Sequence, residues 1–152
     1  MFFQSLPNYV RIVALALGLL DLVRGVMHTI ILDHAARNIA GLAIDGADGR
    51  DLLQLMAVFG VSNFITGAAL IMAAAWDRRM AWAFMAIIPV AYAIGIVSMQ
   101  AAQQGLPESS ANWGGKPMML TYLAVCLVTF VSSTVIAALK SRHANGLQAR
   151  HS

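Results

Sequence analysis

Leu20–Leu32, LDLVRGVMHTIIL, is the stretch whose reading decides the fold. It closes an apolar run from Tyr9 to Leu32 that is long enough to cross a bilayer, yet it carries Asp21, Arg24 and His28. At 100° per residue these three side chains fall within about a 60° arc, on one face of a helix. A lone Asp or Arg at the middle of a membrane helix costs about 2.5–3.5 kcal/mol on insertion scales, so two within one turn call for partners. Asp21 and Arg24, at i and i+3, are each other's nearest solution. Gly18 and Gly25 flank the arc and let a neighbouring helix approach closely there. Two readings follow: an ion pair that fixes the rotation of the helix, or a ligand, ion or proton site of the kind intramembrane charges mark.

The rest of the chain has the same character. Of its 152 residues, 59% are hydrophobic and 11% charged, against about 25% charged in a soluble domain, and the mean hydropathy is +0.71. An integral membrane protein of one domain is expected, with four spans and short connections filling the length. The formal charge of +3 invites a nucleic-acid reading, but the Lys and Arg residues are scattered and form no basic stripe, so no nucleic-acid partner is expected. Cys126, the single cysteine, excludes an intrachain disulfide and paired-thiol redox chemistry. Its apolar surroundings make it a small buried hydrophobe. The run from Tyr9 exceeds the h-region of a signal peptide, about 7–15 residues, so the first helix is expected to be retained.

The expected fold is all-α, a four-helix membrane bundle running up-down-up-down, with helices at about residues 9–32, 52–76, 80–99 and 117–139. Phe2, Phe3 and Pro7 form a short interfacial lead-in. Asp33 to Arg50 reads as an aqueous connection with a short surface helix over Ala35 to Ile44. Within it the run from Asp45 to Asp51, DGADGRD, lacks the alternate ligand spacing of a calcium loop. Turn chemistry and an Asp51 cap on the second helix account for it. Gly60, Asn63 and Gly67 share one face of that helix, a pattern that predicts a close helix–helix contact stitched by the Asn63 amide. Asp77-Arg78-Arg79 makes a tight antiparallel hairpin. Pro89 is expected to kink the third helix or free a carbonyl for a neighbour. Gln100 to Lys116 is a second aqueous loop with Trp113 as an interface anchor. Residues 140–152 form a loosely ordered basic tail.

Orientation follows from the cations. With Arg24 set aside, Arg11, Arg78, Arg79, Lys140, Arg142 and Arg150 fall on one side and Arg37, Arg50 and Lys116 on the other. Positive charge concentrates on the cytoplasmic side of bacterial inner-membrane proteins, which places both termini in the cytoplasm.

The histidines limit the chemistry. His28 alone lies inside a span, with His34, His143 and His151 outside, which disfavours a bis-histidine haem and argues against a tetrahedral zinc site. Nucleophilic triads and phosphate-binding glycine loops are absent. What remains is a polar pocket in the outer half of the bundle. Asp21, Arg24 and His28 from helix one, Gln54 and Asn63 from helix two, Tyr92 from helix three and Tyr122 from helix four are its expected members. Such a cluster suits a quinone or lipid headgroup, or a hydrated seam; the sequence requires no cofactor.

Arg11 leads into an apolar helix that reaches Gly25 and His28. Further on, Ser62-Asn63-Phe-Ile-Thr-Gly67 runs through Ala73-Ala-Ala-Trp76 to a short basic turn. In these features the chain resembles the DoxX-like family of small four-helix bacterial membrane proteins. Members often carry an acidic residue where Asn63 stands and usually lack an Asp–Arg pair in helix one. The resemblance implies an envelope protein, in some cases linked with quinol oxidation or oxidative-stress complexes. The expected function is a non-enzymatic subunit or accessory of an envelope or respiratory, quinone-linked complex. Its partners would be the lipid bilayer and either other membrane subunits or a second copy of the chain. The alternative is a small proton-coupled transporter in which Asp21 titrates.

Overall fold

Asp77 shows how the chain is turned. Its backbone is extended, at φ −145° and ψ 129°, and its carboxylate accepts the Arg79 N–H at 2.9 Å. One residue thus ends one long helix and caps the next. In the computed structural model, which describes residues 2–104 and 115–148, a 3-10 turn (Phe2–Ser5) precedes α1 (Tyr9–Thr29). A three-residue helix, α2 (Leu32–His34), runs into a π-helical turn (Ala35–Ile39). Then come α3 (Gly49–Trp76), α4 (Arg78–Ala102) and α5 (Lys116–Gln148). All regular structure among the described residues is helical. Three stretches, Gly49–Trp76, Arg78–Ala102 and Lys116–Ala144, are long and apolar enough to cross a membrane.

Consecutive long helices run in alternating directions. Arg11, near the start of α1, gives its guanidinium N–H groups to the carbonyls of Ala74 and Ala75 at the end of α3. A cation there satisfies carbonyls that have no partner within the helix and complements the negative end of its dipole. Arg78 ties the same end together by donating to the Leu6 carbonyl at 2.8 Å and to Asn8 Oδ1 at 3.2 Å. α5 lies antiparallel to α4, with Trp82 Nε1 donating to Thr134 Oγ1 at 3.0 Å and its ring 5.0 Å from that of Phe130. The buried core joins Val10, Ala14 and Leu17 of α1 to Leu70 and Ala73 of α3, Met85 of α4 and Cys126 of α5.

The structure departs from the expected boundaries for identifiable reasons. α1 stops at Thr29 rather than at 32, because Ile31 leaves helical geometry at φ −108°, ψ 36°. The chain restarts at Leu32, and the following turn buries Ala35 and Ala36 against the bundle before Gly41, at φ 66°, reverses it. The surface helix expected over 35–44 is therefore shorter and earlier. Arg37 staples the connection, donating to Asp45 at 2.7 Å and Asp33 at 3.1 Å, two carboxylates that raise its pKa above the ordinary value. Both pairs are exposed and contribute little stability.

α3 begins at Gly49, ahead of the expected start, and Asp51 sits inside the first turn rather than capping it. Asp48 takes the cap position without a side-chain hydrogen bond. α4 begins at Arg78 and runs through Pro89 to Ala102. The tail expected to be loose from residue 140 instead continues α5 to Gln148. Trp113, Arg150 and His151 lie outside the described residues, as does the second loop over residues 105–114.

Candidate functional site

The charged arc of α1 faces inward. Asp21 is 2% and Arg24 7% exposed, while Ile12, Leu15, Leu19, Val23 and Ile30 on the opposite side are open. Burying a carboxylate and a guanidinium requires partners on the facing helices. Asp21 Oδ2 accepts the Tyr122 hydroxyl of α5 at 2.8 Å, and Oδ1 receives Arg24 Nη1 at 3.5 Å. Tyr122 is therefore the closer partner. The Arg24 guanidinium lies 5.8 Å from the Phe59 ring centre and 5.9 Å from that of Tyr122, close enough for cation–π attraction from both.

His28 extends the cluster by one turn. Its ring stands 5.5 Å from Phe59, and its Nδ1 meets the Asn63 side-chain amide at 3.1 Å. The amide nitrogen can only donate, so the ring hydrogen belongs on Nε2. Small residues make these distances possible. A Cβ at Gly60 would meet the His28 Cβ at 2.8 Å, and one at Gly67 would meet the Gly18 carbonyl oxygen at 2.7 Å. α1 and α3 thus touch nearly backbone to backbone.

Beside this cluster a cleft of about 620 Å³ opens between α3 and α4. Asp21 and Tyr122 line it from α1 and α5, Phe59 and Asn63 from α3, Tyr92 and Gly95 from α4. Ile65 and Ile87, both largely exposed, also line it, so it is open sideways through the apolar helix faces. The Tyr92 hydroxyl has no hydrogen-bond partner among the described residues, and Asn63 keeps a second N–H beyond the one given to His28. The cleft thus offers a few donors inside a mostly apolar wall, an arrangement suited to a hydrophobic molecule with a carbonyl at one end.

Of the seven pocket residues expected from the sequence, Asp21, Asn63, Tyr92 and Tyr122 line this cleft. Arg24 and His28 line a smaller cavity across Phe59. Gln54 joins neither: it is exposed on α3. Nine residues at 100° each put it half a turn away from Asn63, on the opposite face. Phe59 was not expected, although it stands four residues before Asn63 and so shares its face. Among the described residues no three potential ligands gather to hold a metal ion. No family model, no curated protein and no solved structure matches the chain.

Proposed function

We propose that the chain is a four-helix integral protein of the bacterial inner membrane that takes a bilayer-soluble ligand of the quinone type into the cleft between α3 and α4. It would act as a non-enzymatic subunit or accessory of an envelope or respiratory complex. α1 is read as the fourth span because its charges are paired inward and its outward face is aliphatic, which removes most of the cost of insertion. The resemblance to the DoxX-like family supports the same quinone-linked role.

The observation that carries this reading is the cleft itself. Its 620 Å³ lies within the range of small-molecule sites, about 300–1,000 Å³. Its sideways opening gives a lipid-dissolved molecule direct entry, and Tyr92 and Asn63 supply donors where a quinone carbonyl needs them. A second reading, the proton-coupled transporter, draws on the position of Asp21 and Arg24 between two cavities that share Phe59.

Gly95 gives a clean test, since a Cβ there meets nothing within 4 Å and the residue lines the cleft. Gly95→Leu should leave the melting midpoint unchanged or raise it, because glycine is a poor helix former. The same change should weaken binding of a decyl-benzoquinone probe, read by tryptophan quenching, by about tenfold or more. Equal binding by the variant, or none by the parent, would remove the cleft reading.

The cation count supports cytoplasmic termini. An alkaline-phosphatase fusion after Gln104 should be active and one after Arg79 inactive. The reverse pattern would invert the orientation.

A further inference from the structure

The second cavity, of about 150 Å³, lies across Phe59 from the cleft and is lined in part by Ile39, Ala40 and Leu42 of the connection after α2. Its only polar side chains among the described residues are Arg24 and His28. Both are donors. The Arg24 side chain is 9% exposed, and of its five N–H groups only one has a partner among the described residues. That partner is Asp21 at 3.5 Å, a long contact for a charge-assisted bond, which normally spans about 2.7–2.9 Å. Asp21 holds Tyr122 more closely and lines the other cavity. His28 has its Nδ1 occupied by Asn63, which leaves the Nε2 hydrogen on the far side of the ring.

Among the described residues this chamber presents two donors and no acceptor side chain. Donors that face such a space can take their acceptors from a ligand, and a guanidinium is best matched by the paired oxygens of a phosphate or carboxylate. We infer that the Arg24–His28 cavity is a binding site for an oxyanion, a phosphate or carboxylate group, separate from the cleft. The volume admits one such group and excludes a ring with a long tail. The oxyanion is either the headgroup of an acidic lipid or a free anion, and recognition is the same for both. The inference does not depend on a ligand in the cleft.

Melting of the purified full chain in a neutral detergent separates the sources. Lysophosphatidic acid carries the phosphate and a chain, monoacylglycerol the chain alone, and inorganic phosphate the group alone. Lysophosphatidic acid should raise the midpoint saturably while monoacylglycerol does not. A similar rise with inorganic phosphate assigns the site to a free anion, and its absence assigns it to a lipid headgroup. Ala40→Phe fills the cavity without touching a charge and should weaken the lysophosphatidic acid response about tenfold or more. Gly95→Leu, which alters only the cleft, should retain it, so the two sites fail independently. No response to either phosphate compound, an equal response to monoacylglycerol, or full binding by Ala40→Phe would overturn the inference.

Discussion

Asp21→Asn is expected to cost about 3–5 kcal/mol and most of the folded yield, as removal of one partner of a buried ion pair does. Arg24→Gln should cost less. The asymmetry is chemical: a guanidinium left alone cannot shed its proton, whereas a carboxylate left alone can be neutralised by gaining one. Asp21 also keeps its 2.8 Å bond from Tyr122 when Arg24 is lost. In Asp21→Asn, Arg24 loses its counter-charge and, among the described residues, is left with an amide oxygen and the ring faces of Phe59 and Tyr122. The double variant should recover stability relative to Asp21→Asn, since no unpaired charge is left buried among the helices. Tyr122→Phe removes a hydrogen bond rather than a charge and should lose about 0.6 kcal/mol and no more than about 1.7, the average and the maximum found for hydrogen bonds between membrane helices. Reversible unfolding in mixed micelles reads all four. Additive losses in the Asp21–Arg24 cycle would mean that the two charges are not coupled and that each is held by other groups.

Helical period made the inward face of α1 legible, because Asp21, Arg24 and His28 repeat at three and four residues and no other polar residue interrupts the run from Ile12 to His28. The same period applied to Asn63 identified its contact with a neighbouring helix, which the structure resolves as His28. The same period places Gln54 half a turn from Asn63, on the exposed side of α3. Tyr122 was legible as a polar residue on the last helix. Its bond to Asp21 was not, since 101 residues separate the two and no local signal links them. Phe59 escaped notice because an aromatic among Met, Val and Leu reads as lipid-facing until a cation is found over its ring. The end of α1 was hidden by continuous apolarity through Leu32; the break comes at Ile31, and the turn that follows buries Ala35 and Ala36. Polar composition concealed the last turns of α5, which continue the helix beyond its apolar stretch.

Gly67→Leu is expected to abolish folding outright, and the neighbouring glycines should grade the effect by what each added Cβ meets. At Gly67 the new atom would lie 2.7 Å from the Gly18 carbonyl oxygen and 3.1 Å from the Leu22 backbone nitrogen. Neither is the end of a side chain that can rotate away, so the helices must separate. Even Gly67→Ala should therefore lose about 1–3 kcal/mol, as overpacking does. At Gly25 the obstacle is the Phe64 ring at 2.7 Å, which can turn, so Gly25→Ala should cost less. Gly95→Ala meets nothing and should gain about 0.5–1 kcal/mol from its better helix propensity. The consequence reaches the site, because Asp21 follows Gly18 by three residues and is carried outward when α1 lifts from α3. Lifting α1 draws its carboxylate away from Tyr122 and its His28 ring away from Asn63. Gly67→Ala should thus weaken quinone-probe binding together with stability, whereas Gly95→Ala should not lower stability. Unfolding midpoints for the series provide the check, and a Gly67→Ala variant as stable as the parent would mean that α1 and α3 do not meet at this level.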